Sequence, residues 1–206
     1  MSQTRQGLLL VVSGPAGAGK GTLDTILLSR HSDMKLSVSA TTRPPRNGEI
    51  DGVHYFFITE EKFKEMIAQD EFLEYMHVFG MNYYGTPRQF VEEQLRHGID
   101  IILEIDVQGA MKVKKAYPDA VLIFIAPPSM SELKTRLIGR GTETEAQIEK
   151  RFATAFEEIK YMPEYDYVVV NDVVDMAVNR MEAIVAAEKC RSSRNIILTQ
   201  SLQGGK

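Results

Sequence analysis

The sequence predicts an α/β fold in which a parallel sheet carries helices on both faces, with a small α+β insertion and a helical hairpin added to it. Three observations predict this. Four apolar-rich runs, Leu8–Val12, Ile99–Ile105, Val121–Ala126 and Tyr167–Val170, have strand length and the near-continuous hydrophobicity of strands covered on both sides. Helical patterns separate them, as parallel neighbours require. The stretch 37–87 breaks that rhythm with short aromatic runs and turn-rich loops.

Taken in chain order, Leu8–Val12 ends in Ser13-Gly14-Pro15, and the glycine-rich stretch to Gly21 gives way to a helix over Thr22–Arg30. Within the insertion, Tyr55-Phe56-Phe57-Ile58 reads as a strand, and Thr59 opens a helix over Glu60–Gln69. Thr86-Pro87 has the form of an N-cap followed by proline at the first helical position. Pro127-Pro128 stops the Val121–Ala126 strand. Ser129 and Glu132 have capping-box spacing for a helix from about Met130 to the glycines at 139–141, and Thr142 with Glu145 repeats the signal for a second helix. Asp175 to about Lys189 is amphipathic, and the tail beyond Arg191 reads as polar and frayed.

At 206 residues, with 44% hydrophobic and 25% charged residues, the composition is that of one globular domain. A net charge of −4 gives no overall attraction to nucleic acid or an anionic membrane, so any anion site must be local. The single cysteine, Cys190, has no partner for a disulfide and no metal-ligand spacing around it, which fits a reducing compartment. The segment 1–7 is polar, and no run approaches the length of a membrane span, so the expected location is cytoplasmic. His31, His54, His77 and His97 are scattered without ligand or triad spacing.

The chemistry begins at Gly14-Pro15-Ala16-Gly17-Ala18-Gly19-Lys20, a G-x-x-x-x-G-K loop between an apolar strand and a helix. Glycines let successive amides turn inward around an anion, the helix N-terminus adds partial positive charge, and Lys20 adds a full one. Gly21 stands where Ser or Thr usually follows the lysine, and Thr22 comes next. The loop establishes a nucleoside triphosphate site without choosing among GTPases, ATPases and kinases. No Asn-Lys-x-Asp motif is present to support a regulatory GTPase.

Two further stretches narrow the choice. Ser37-Val-Ser39-Ala-Thr-Thr-Arg43-Pro-Pro-Arg46 runs on to Tyr55 and gathers two guanidinium forks and a phenol, suitable donors for a phosphate dianion. Taken alone, arginines three apart are more often a solvated basic loop. Ile101-Ile-Leu-Glu104-Ile-Asp106 puts two carboxylates on one strand face at the end where open parallel sheets bind ligands.

From about Leu8 to Glu188 the chain resembles the guanylate kinases. The resemblance implies the phosphate-loop nucleoside monophosphate kinase fold: a parallel five-stranded core (1–36, 88–127, 160–206), a GMP-binding insertion (37–87) and a lid (128–159). It implies transfer of the ATP γ-phosphoryl group to GMP, and to dGMP. ATP would lie on Gly14, Pro15, Ala16, Gly17, Ala18, Gly19, Lys20, Gly21 and Thr22, with Arg140 and Asn171 near the adenine. GMP would meet Ser39, Arg43, Arg46, Tyr55, Glu74, Tyr84, Thr86, Glu104 and Asp106, with Glu74 accepting from the guanine N1–H and amine. Asp is more usual than Glu104, and Ser more usual than Thr86, at those positions. Lys20, Arg43 and the lid arginines Arg136, Arg140 and Arg151 would carry catalysis, and the insertion and lid would close on the core. Mg²⁺ would arrive with ATP, mostly through water, with Asp106 nearest it. The partners are the two nucleotides, without nucleic acid or membrane, and a homo-oligomer is left open. A protein-binding module of the same fold and a kinase for another monophosphate are the rival readings.

Overall fold

The structure is a computed structural model that describes residues 6–78, 81–139, 144–196, 202 and 204. The first strand, β1 (Leu9–Ser13), leads through the glycine loop into α1 (Lys20–Arg30) and a short β2 (Met34–Leu36). The insertion follows: β3 (Ala40–Thr41), β4 (Phe56–Phe57), α2 (Glu60–Ala68), β5 (Phe72–Val78) and β6 (Asn82–Pro87). The chain returns through α3 (Arg88–Arg96), β7 (Asp100–Glu104), α4 (Val107–Ala116) and β8 (Val121–Ala126). It ends with the hairpin α5 (Met130–Gly139) and α6 (Glu145–Ile159), then β9 (Tyr167–Val170) and α7 (Val174–Lys189).

The core sheet has the order β2-β7-β1-β8-β9, with every pairing parallel. Alternation along β1 explains its unbroken apolar run. Leu10 and Val12 join Leu23, Leu27, Val178 and Met181 on the α1/α7 face, while Leu9 and Val11 join Val91, Leu95, Ala110 and Val113 on the α3/α4 face. The insertion forms a second sheet, β4-β3-β6-β5. It has its own small core, in which Phe63 stacks on Phe72 with ring centroids 4.3 Å apart. The hairpin closes over Leu133, Leu137 and Ala155 and packs on Ala16 of the glycine loop.

At the end of the sheet opposite the loop, fully buried Asp100 ties distant segments together. It accepts the Leu8 N–H at 2.7 Å and meets the Lys189 ammonium at 2.7 Å, and that ammonium also reaches Asp33 at 3.2 Å.

Several local expectations are corrected. Thr86 does not cap α3; it lies in β6, and its hydroxyl donates to Glu74 Oε1 at 2.8 Å, so α3 begins at Arg88 after Pro87. Thr142 lies outside the described residues, and the capping box of α6 is Thr144 with Gln147. Glu132 takes only half of its expected box: its N–H donates to Ser129 Oγ at 3.1 Å, while its carboxylate turns to Arg136. The segment after Arg191 is ordered at its start, where Ser192–Arg194 forms a 3₁₀ turn and Arg194 donates to the Asp119 carbonyl at 2.7 Å. The β5–β6 hairpin was not anticipated as a strand pair, because its alternating aromatic and polar residues meet both a core and a cleft.

Candidate active site

The glycine loop has the backbone that its composition requires. Gly14, Gly17 and Gly19 have φ of 136°, 90° and 94°, a region that side chains disfavour. Gly19 is fixed twice over, because a Cβ there would lie 2.4 Å from Asn171 Nδ2. That amide, buried behind the loop, donates to the Ala18 carbonyl at 2.8 Å. Asn171, expected beside the adenine, therefore has its side chain engaged in bracing the loop. Lys20 opens α1, and its ammonium donates to the Gly14 carbonyl at 2.6 Å and the Pro15 carbonyl at 3.3 Å, folded back over the loop. Ala16, Gly17, Gly19, Lys20, Gly21, Thr22 and Glu104 line a cleft of about 390 Å³.

A second cleft, of about 480 Å³, lies between the core sheet and the inserted sheet. Ser39, Tyr55, Glu74 and Tyr84 line it from the insertion, Glu104 and Asp106 from the end of β7, and Arg151 from α6. Glu104 therefore walls both clefts.

Within the second cleft Glu74 is buried at 7% exposure. Burial pushes its carboxyl up to about 7, the Thr86 hydroxyl opposing that shift and the Asp106 charge reinforcing it. Gly109 permits this approach, since a Cβ there would stand 3.3 Å from Glu74 Oε2. Asp106 does not share a strand face with Glu104 as expected, because β7 ends at Glu104 and Asp106 caps α4, accepting the Gly109 N–H at 2.8 Å.

Arg43 lies beside the cleft, over the Tyr55 ring at 5.3 Å, and donates to the Tyr84 hydroxyl at 3.2 Å. Its guanidinium fork grips both oxygens of Glu49, at 2.8 and 3.0 Å. The Arg43 guanidinium and the Arg46 backbone N–H together hold the Glu49 carboxyl at about 2, well below the usual range. Arg46 itself is exposed, with its side chain outside the lining of the cleft. Arg136 donates to the Asn171 carbonyl at 3.1 Å and pairs with Glu132. Arg140 lies outside the described residues.

Three acids escape the motif reading. Glu49 has its role only because the loop folds back on Arg43. Glu158, at the end of α6, is raised by burial, with the Lys20 charge opposing and Asp106 adding. Asp24, at 1% exposure on α1, is pushed up to about 8 by burial and by the Glu104 charge, against Lys20. Asp24 is not singled out in the sequence, where its i, i+4 spacing from Lys20 is the one signal that could have found it.

A glycine loop between a buried parallel strand and a helix, facing a second polar cleft on an inserted sheet, defines the class of phosphate-loop nucleotide kinases. The guanylate kinase family model matches residues 6–188, and the chain belongs to the guanylate kinase family. The guanylate kinase of Caldanaerobacter subterraneus subsp. tengcongensis is 56% identical over 195 residues, covering 95% of this chain and 94% of its own. That of Clostridioides difficile is 55% identical, covering 94% and 95%. The crystal structure of guanylate kinase from Anaplasma phagocytophilum superposes with a TM-score of 0.80 at 34% identity, covering 98% of this chain and 97% of its own.

Proposed function

We propose that this protein transfers the γ-phosphoryl group of ATP to GMP, and to dGMP, giving ADP and GDP, a step of purine nucleotide metabolism and GMP recycling. The observation that carries this reading is the shared wall at Glu104, where a cleft floored by the glycine loop meets one lined by guanine- and phosphate-compatible groups.

In this reading the loop amides and Lys20 hold the ATP phosphates. Glu74 accepts the two adjacent donors of the guanine edge, with Ser39 and Thr86 hydroxyls alongside. Adenine presents a different pattern and leaves a buried carboxylate unmatched. Arg43, Arg46, Tyr55 and Tyr84 receive the acceptor phosphate. One of its oxygens attacks the γ-phosphorus in line. The bond to the β–γ bridging oxygen breaks, and ADP leaves with that electron pair. The acceptor is already an anion, so no protein nucleophile is needed. Lys20, Arg136, Arg140 and Arg151 offset the charge spread over the equatorial oxygens. Closure of the insertion and the hairpin on the core would exclude water from the transfer.

Among the described residues no group of three or more His, Cys, Asp or Glu could hold a metal ion by itself. That donor set fits a Mg²⁺ that comes with ATP and takes most of its ligands from phosphate and water. Glu104 and Asp106 are the carboxylates that would meet it, and when bound it would neutralise phosphate charge. No helix among the described residues is long and apolar enough to cross a membrane. The free, exposed Cys190 supports a reducing setting, the cytoplasm.

A coupled ADP-release assay with GMP, dGMP, AMP and UMP tests the proposal. GMP and dGMP should be turned over and the other two should not. Absence of turnover with GMP and MgATP would leave the protein-binding module as the better account, and preference for another monophosphate would overturn the guanine assignment. Lys20→Ala and Arg43→Ala should each lower turnover by roughly a hundredfold or more with the fold intact by circular dichroism.

A further inference from the structure

In the proposed reaction Glu74 on β5 reads the base, and β5 is the edge of the inserted sheet, paired with β6 alone among the described residues. An edge strand leaves carbonyls without ladder partners, so its position is set by whatever meets them. Here the core meets them. On one side of Glu74, Arg88 at the start of α3 donates through Nη2 to the Phe72 carbonyl at 2.9 Å and through Nε to the Asp70 carbonyl at 3.0 Å. Its Nη1 donates to the Tyr117 hydroxyl, at the end of α4, at 3.2 Å. On the other side, Lys112 of α4 donates to the Tyr75 carbonyl at 2.6 Å and reaches Met76 Sδ at 3.2 Å. Met76 lines the acceptor cleft; neither Arg88 nor Lys112 does.

Between these two ties the strand is irregular. Phe72 pairs with Pro87 and Glu74 with Thr86, so Leu73 is an extra residue in the ladder. A bulge of this kind re-aims its neighbours. Leu73 joins the core cluster with Val91 and Leu95, while Glu74 lines the cleft. Gly109, one turn before Lys112 and on the same face of α4, leaves room for the Glu74 carboxylate. The Lys112 charge also favours the ionised form of that carboxylate.

We infer that Arg88 and Lys112 are positioning residues for guanine selection, holding β5 to the core on either side of Glu74 so that its carboxylate meets the base in a fixed place. The inference rests on the proposed assignment of Glu74 to the guanine edge. It divides the acceptor site in two. The base-reading strand is fastened to the core, whereas the phosphate donors Arg43 and Tyr84 bond to each other within the insertion. The base can then be selected without waiting for the phosphate-holding half to close.

The test is steady-state kinetics with GMP and IMP varied, since IMP lacks only the exocyclic amine that Glu74 would accept. Lys112→Met should raise KM for GMP more than it lowers kcat and leave KM for ATP unchanged. It should narrow the GMP-over-IMP preference in kcat/KM by about threefold or more, and Arg88→Met should narrow it by about tenfold. Lys112→Arg still offers a donor to the Tyr75 carbonyl and should keep the preference. Because either tie alone still holds the strand, the double variant should lose more than the product of the two single losses. Side chains that only stabilise the fold would lower the melting temperature and leave the preference where it was.

An unchanged preference in either single variant overturns the inference, and so does a double loss no greater than the product. Should Arg88→Met not fold, Arg88→Lys takes its place, keeping the charge without the fork. A wild type that leaves GMP untouched would instead overturn the proposed function, and the ties are then judged by hydrogen exchange. Amides of Phe72–Val78 should exchange faster in Lys112→Met while those of Asp100–Glu104 stay protected. Wild-type exchange along β5 in that variant refutes the positioning role.

Discussion

Arg43 illustrates how a binding residue is kept ready. Its guanidinium is held by Glu49, Tyr84 and the Pro44 carbonyl, and it lies over the Tyr55 ring. Glu49 acts as an internal carboxylate gripping the fork that a phosphate would use. Glu49→Gln should therefore let Arg43 wander and lower kcat/KM for GMP by about tenfold or more, chiefly through KM, the scale expected when a positioning group is misplaced. Steady-state kinetics with GMP varied would check it. Glu74 carries a pH dependence. Its folded pKa of about 7 stands above the ordinary value of 4.5, so the folded protein holds a proton that the unfolded chain has released between those values. The stability it contributes is full below pH 4.5 and is lost as pH rises through 7. Glu74→Gln should accordingly raise the melting midpoint more at pH 8 than at pH 5. Protonation also removes an acceptor facing the guanine edge, so the preference for GMP over IMP should narrow as pH falls below 7. That ratio cancels the titration of the common phosphate. Loop spacing makes Lys20 legible in the sequence, while Arg43 and Glu74 are singled out by the resemblance to the guanylate kinases. Glu49, Glu158 and Asp24 were not, because their significance comes from what tertiary folding sets opposite them.

Among the elements, β1, β7 and β8 were legible because both faces are covered and the apolar run is unbroken. In contrast β9, expected to be covered on both sides, lies at the sheet edge and leaves Val168 and Val170 exposed. The three-residue β2, with a single buried side chain, and the two-residue β3 and β4 give no such signal. Their pairing is decided by the neighbouring strand rather than by their own sequence. The hairpin and the glycine loop form one packed unit, since a Cβ on Gly17 would lie 3.1 Å from both Leu133 Cδ1 and Leu137 Cδ2. Fully buried Leu137 thus connects α5 to the donor cleft. Leu137→Ala should cost about 2–5 kcal/mol of stability, measured by urea unfolding. It should also weaken ATP binding more than GMP binding, measured by calorimetry below the unfolding transition. Equal loss for both nucleotides would mean that the hairpin does not shape the loop.

On the scale of the whole molecule, the arrangement is a rigid parallel sheet with two separately cored attachments, the inserted sheet and the α5–α6 hairpin. The sequence revealed that plan through the change of rhythm after Ser37 and the glycines and prolines that bound the hairpin. The order of the strands depends on crossovers between distant segments and is seen only in the structure. The union of Asp100 with the Leu8 amide and the Lys189 ammonium has a kinetic corollary. The first core strand and the last helix are anchored to the same buried carboxylate, so neither can peel away while the other stays. Cleavage by thermolysin within Val174–Lys189 should then require global opening, at a rate that tracks overall stability in urea rather than local fraying. Asp100→Asn should uncouple the two, exposing the helix to digestion at denaturant concentrations where the sheet still stands.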